Sequence, residues 1–174
     1  MKIYTYTHPR EIESVIEVPI FDDNGQIAAI SKRIYDNRLK KALDQFFDYR
    51  YFLKYEVSNK SGEKSFTIKK VIRRGKLWYE GFDHKIGKKY IITYENWKMA
   101  IPELTITDGV IKIQVNKQME DWSEFLFEET LAARWKAEFL NDQFYMTLQI
   151  DENSPIQNVE FYIAISQAAL FVGA

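Results

Sequence analysis

The chain has 174 residues, a net charge of −1 and no cysteine. That length suits one domain with a sizeable core, and the absence of thiols excludes a disulfide scaffold and thiol chemistry. Twelve Phe, eleven Tyr and four Trp favour β-structure, while seven Gly and four Pro are too few for a disordered chain.

The first residues, Met1 to His8, lack the apolar stretch of a secretory signal, so a cytoplasmic location is expected, with membrane association allowed. Period-two alternation then dominates and predicts strands near 3–7, 14–20, 26–33, 51–58, 64–72, 77–82, 89–95, 103–107, 110–116, 123–128, 131–140 and 143–150. Ile16, Val18 and Ile20 share one face, as do Tyr51, Leu53, Tyr55 and Val57, and later Phe144, Met146, Leu148 and Ile150. Turn chemistry separates the runs: Asp22-Asp23-Asn24-Gly25, Asn59-Lys60-Ser61-Gly62, Arg74-Gly75-Lys76, Asp83-His84-Lys85-Ile86-Gly87, Asp108-Gly109 and Asn141-Asp142. Each is short enough for an antiparallel hairpin. Between the third and fourth strands, Asn37 can cap a short amphipathic helix near 37–49 that places Leu39, Leu43, Phe46 and Phe47 on one face. That face is expected to pack on the protein, with contact to lipid as the alternative.

The chain ends on a second helix. Ser154 fits the N-cap, Pro155 the first helical position and Gln157 a capping box. From Phe161 to Val172 only Ser166 and Gln167 interrupt an uncharged apolar run. A helix apolar all round must be buried in protein or lipid. Twelve residues fall short of the ~20 that span a bilayer, so a tail anchor is disfavoured. The fold class that follows is mainly β: a closed antiparallel barrel of about twelve strands around this central helix, in a single domain over residues 1–174.

This arrangement resembles the tubby C-terminal-like superfamily, within it the LURP-one-related proteins and their small bacterial relatives. The resemblance is carried by Phe21 to Ile27 leading into Ile30-Ser31-Lys32, by the hairpin from Tyr55 to Lys70, by that from Tyr79 to Lys88, and by the terminal helix from Ile156 to Val172. It implies the barrel fold, phosphoinositide binding as in tubby-type members, and action at membranes as in scramblase-type members.

Charge is segregated along the chain. Residues 32–89 hold seventeen Lys/Arg against seven Asp/Glu, or +10, while residues 1–31 give −3 and residues 90–174 give −8. A dipolar surface would attract an anionic partner; interleaving of the charges on adjacent strands would cancel it. The candidate contacts for phosphate or anionic lipid are Lys69, Lys70, Arg73, Arg74, Lys76, Lys88 and Lys89. The alternative for these residues is solvation and edge protection. Lys69-Lys70 also disturb the alternation set by Phe66 and Ile68, as at a bulge. In a meander, residues 74–76 and 88 fall at opposite ends of the intervening strand.

Catalytic signatures are absent from the sequence: there is no HExxH, GxSxG, P-loop or dinucleotide fingerprint, and no cofactor is implied. Asp22 to Gly25 imitates a calcium loop, but Ile20 then occupies the first ligand position. Asp83-His84 could form an acid–base pair, and Glu120-Asp121 or Glu128-Glu129 could attract a cation, although adjacent carboxylates on a strand face opposite ways. Nucleic acid is a poor partner, because Tyr51 and Tyr55 share the register of Leu53 and Val57 and the C-terminal half is acidic. The sequence thus favours a non-enzymatic binding module that meets an anionic membrane surface or a protein partner. The alternative is an enzyme or small-ligand carrier with a pocket at a barrel end.

Overall fold

The computed structural model describes residues 1–95, 103–117 and 121–172. Twelve antiparallel strands follow in chain order: β1 Lys2–Pro9, β2 Glu17–Asp22, β3 Ile27–Arg33, β4 Lys54–Asn59, β5 Lys64–Arg73, β6 Lys76–Asp83, β7 Lys88–Glu95, β8 Glu103–Thr107, β9 Lys112–Asn116, β10 Ser123–Phe127, β11 Thr130–Leu140 and β12 Gln143–Ile150. Each pairs with its neighbours in sequence, and β1 closes the barrel on β12 from Lys2–Ile150 to Pro9–Gln143. Closure removes the unpaired edge that an open sheet would expose. The alternation read from the sequence decides the inner face: Tyr55 and Val57 of β4, Phe66 and Ile68 of β5, and Met146, Leu148 and Ile150 of β12 are all buried.

Gly81 of β6 faces inward, where a Cβ would come within 2.8 Å of the Phe66 ring. Its missing side chain leaves the room in which Phe66 meets Phe161 edge-on at 5.6 Å.

Two helical segments complete the chain. Helix α1 spans Arg38–Asp44 and passes into a 3-10 turn at Gln45–Phe47. Helix α2 spans Val159–Ile165 and continues as a π-helix over Ser166–Val172. α2 packs against β3, β4, β5, β6 and β12 and occupies the barrel interior, with every residue from Val159 to Leu170 buried. Of its two polar interruptions, Gln167 is met from the wall: the Trp135 Nε1 donates to the Tyr6 hydroxyl at 3.0 Å, and that hydroxyl donates to Gln167 Oε1 at 3.4 Å. No helix among the described residues is long and apolar enough to cross a membrane.

The structure corrects the expected start of α2. Asn158, not Ser154, is the N-cap, and its side chain accepts from the backbone N–H groups of Glu160 and Phe161. Gln157 is engaged elsewhere, its amide donating to the carbonyls of Asp151, Glu152 and Ser154. Ser154 Oγ instead lies 2.7 Å from the Tyr162 hydroxyl. These bonds fold residues 151–157 into a turn before the helix can begin.

The bulge in β5 also moves. Pairing with β4 shifts between Val57 and Ser58, opposite Ser65, whereas Lys69 and Lys70 stay in regular register with Glu80 and Tyr79. β4 begins at Lys54, so Tyr51 lies outside it and is exposed rather than facing the core. Glu128 and Glu129 are not strand residues: they form the two-residue turn between β10 and β11, both with positive φ.

Candidate functional site

The two barrel ends differ. At the end carrying the Asp83–Lys88 turn, α2 enters, tied by Asn158 Nδ2 donating to Asp83 Oδ2 at 2.9 Å and by Lys85 Nζ to Glu160 Oε1 at 2.9 Å. At the end carrying the Arg73–Lys76 hairpin, α2 finishes, with the Phe171 ring against Phe144 and His8. The loop from Ile34 to Leu53, including α1, lies at this second end. Lys70 fastens it to β5: its backbone N–H donates to Leu53 O at 2.8 Å and its Nζ to Arg50 O at 2.7 Å.

α1 is held by charge rather than by apolar packing. Asp44, its buried residue, faces inward and pairs with Arg33 Nη2 at 2.6 Å, both side chains being fully buried. Asp44 also accepts from the Tyr35 hydroxyl and from the backbone N–H groups of Tyr51 and Phe52. Arg33 donates further to the carbonyls of Ile12 and Tyr49. One ion pair therefore knits the loop after β1, the end of β3 and the α1 loop.

This anchoring overturns the expectation that the apolar face of α1 packs on the protein. With Asp44 turned inward, the opposite stripe points outward: Leu39 is 67% exposed, Leu43 40%, Phe46 82% and Phe47 50%. Tyr51 adds to the stripe, its ring 4.9 Å from that of Phe47.

The seven candidate basic residues divide into groups. Lys69 and Lys89 flank Glu80 on the outer barrel wall at 3.2 and 3.3 Å, beside a depression of about 350 Å³ that Lys54 and Phe82 also line. Burial would raise the Glu80 pKa, but the hydrogen bonds from Lys69, Trp78 and Lys89 hold it below the usual range. Lys88 lies at the far end, 2.7 Å from Asp108, whose carboxyl is drawn down to about 2 against the pull of its own burial. Lys70 is half-buried, and burial, then the Arg50 charge, lowers its pKa. Arg73, Arg74 and Lys76 are exposed on the β5–β6 hairpin and make no ion pair among the described residues. β6 separates Lys76 from Asp83 by roughly 23 Å at ~3.3 Å per residue, so the seven do not form one site. The strand leading into the hairpin meets the α1 loop at Tyr51 and Phe52, while Arg38 and Lys41 of α1, likewise exposed and without an ion pair among the described residues, line a depression with Val15 and Lys32.

The other candidates are dispersed. Asp83 turns inward and accepts from the N–H groups of Lys85 and Ile86, while His84 turns outward onto Thr67 Oγ1 and the Phe82 ring. They form no acid–base pair. A depression of about 460 Å³ at the α2 entrance contains Asp83 and Glu160, both already bonded. Asp22 spends its carboxylate on the N–H groups of Asn24 and Gln26 in the first hairpin turn. No group of His, Asp and Glu among the described residues is arranged to hold a metal ion. Glu120 lies outside the described residues.

A family model described as Tubby C-terminal like domain matches residues 4–172. The chain belongs to the tubby C-terminal-like family. The match runs from β1 to the end of α2, so the whole barrel and its central helix are the tubby-like domain. The family is a non-enzymatic fold family, which makes a binding module the class of function to consider for this tubby-like chain. No curated protein and no solved structure matches the chain.

Proposed function

We propose that this tubby-like domain is a non-enzymatic binding module that docks on an anionic phospholipid surface through the barrel end carrying Arg73, Arg74 and Lys76. The observation that carries the reading is the set of exposed cations without ion pairs at that end. Arg73, Arg74 and Lys76 on the hairpin lie at the same barrel end as Arg38 and Lys41 on α1, and none has an ion pair among the described residues. Lys69, Lys88 and Lys89, by contrast, already face Glu80 or Asp108. Guanidinium groups match phosphate with paired donors, and a flat array of them suits a sheet of headgroups better than a single enclosed ligand. The barrel interior supports the same reading, because α2 occupies the space in which a lipid tail or small ligand would otherwise lie.

Each basic residue near an anionic leaflet contributes ~1 kcal/mol. Replacing all three hairpin cations by Gln should therefore weaken binding to phosphatidylserine-containing vesicles by about two orders of magnitude. Cosedimentation unchanged by that triple substitution would sink the proposal.

A further inference from the structure

We infer that the segment from Arg38 to Phe47 is an apolar wedge that enters the interfacial layer of an anionic bilayer; this rests on the docking reading above and extends it. Four large apolar side chains in ten residues stand out from the barrel, and Tyr51 and Ile72 extend the surface. A seven-residue helix is too short to be stable alone in water. This one is nevertheless fixed, capped by Asn37 at 2.8 Å and clamped from inside by Arg33 and Asp44. The clamp is polar and internal, so it presents the apolar stripe outward instead of consuming it.

The surrounding charge selects the occupant. Arg38 and Lys41 lie on α1 itself, lining a depression with Val15 and Lys32, and on the other side Arg73, Arg74 and Lys76 follow Ile72, which lines a depression with Tyr51. Asp36 is matched by Lys40 at 2.6 Å and Lys54 at 2.7 Å, Asp48 follows the 3-10 turn, and Glu11 and Glu13 flank Ile12, whose carbonyl accepts from Arg33. An apolar face bordered by cations suits the boundary between acyl chains and anionic headgroups. A second copy of the chain fits less well, because a two-fold contact would set these cations against their own equivalents. Charge and apolar contact together supply the two signals that stable peripheral anchoring requires.

The absence of cysteine makes the test direct. Phe46→Cys carries an environment-sensitive fluorophore, and Lys60→Cys, in the exposed turn after β4 at the opposite end, serves as the control. Each is mixed with phosphatidylcholine vesicles with or without phosphatidylserine, some bearing a quencher on the acyl chain, and cosedimentation is measured in parallel. The expected result is a blue shift and quenching at position 46 only, and only with phosphatidylserine. Phe46→Ser/Phe47→Ser, both at exposed positions, should bind the same vesicles at least about tenfold more weakly. Cosedimentation without a shift at position 46 overturns the wedge and leaves the docking reading standing. Absence of cosedimentation overturns both. A shift that needs no vesicles and grows with protein concentration shows a second copy on the face and overturns the wedge.

Discussion

Asp44→Ala perturbs the joint on which the exposed end depends. The carboxylate accepts four hydrogen bonds, from Arg33 Nη2 at 2.6 Å, the Tyr35 hydroxyl at 2.9 Å, and the N–H groups of Tyr51 at 3.0 Å and Phe52 at 2.9 Å. Removing it leaves a fully buried guanidinium without a counter-charge, facing the carbonyls of Ile12 and Tyr49 and the Tyr35 ring. Breaking a buried pair from one side costs about 3–5 kcal/mol, a large share of the ~5–15 kcal/mol that stabilises a typical domain. Arg33→Met/Asp44→Leu removes both charges together and should recover most of the loss, because a well-packed apolar replacement is often neutral. Urea unfolding gives the energies, and amide exchange gives the location: in Asp44→Ala the Tyr49, Tyr51 and Phe52 amides should lose protection first. A loss below about 1 kcal/mol for Asp44→Ala, or no difference between the single and double variants, would refute the clamp.

The remaining expectations concern the barrel. Ile165→Asp sets an unpaired carboxylate at a fully buried position of α2 and should abolish cooperative folding, as followed by circular dichroism on heating. Burial lowers the His8 pKa below 6.5, more than its donation to the Pro9 carbonyl raises it, and the Arg33 charge lowers it further. The folded state thus binds fewer protons than the unfolded one just below pH 6.5. Stability is complete above that pH and falls as pH drops through it, and His8→Gln should flatten this part of a urea-midpoint profile. Glu128 and Glu129 hold φ values of 48° and 62° in a turn that prefers Asn-Gly. Glu128→Asn/Glu129→Gly should raise stability by ~1–2 kcal/mol, measured by the same unfolding titration.

The barrel was legible because alternation and turn chemistry agree along most of the chain. Phe144 to Ile150 shows its inner face residue by residue, and Asn141-Asp142 marks the turn before it. Glu-Glu carries no turn signature, yet the break between 123–128 and 131–140 places the β10–β11 turn to within a residue, and the register from Phe127 to Thr130 fixes it at Glu128-Glu129. The identity of α2 was plain from its apolar run, but its start was not. Ser154 and Gln157 satisfy a capping pattern locally, whereas the fold uses Gln157 to bind three carbonyls and gives the cap to Asn158. α1 shows the same limit in reverse. The stripe of Leu39, Leu43, Phe46 and Phe47 was visible, but its direction is set by Asp44 through Arg33, eleven residues upstream at the end of β3. The seven basic residues could not be sorted by sequence, because the counter-charges of three of them, Glu80 for Lys69 and Lys89 and Asp108 for Lys88, reach them across the sheet or from a separate turn.

The most direct test is equilibrium binding of the intact chain to phosphatidylcholine vesicles with and without phosphatidylserine, at low and at physiological salt. A headgroup-docking barrel end should bind only the anionic vesicles and weaken as salt screens its cations, with an apolar remainder that persists. Equal binding to neutral vesicles, or no binding to anionic ones at low salt, would contradict the account.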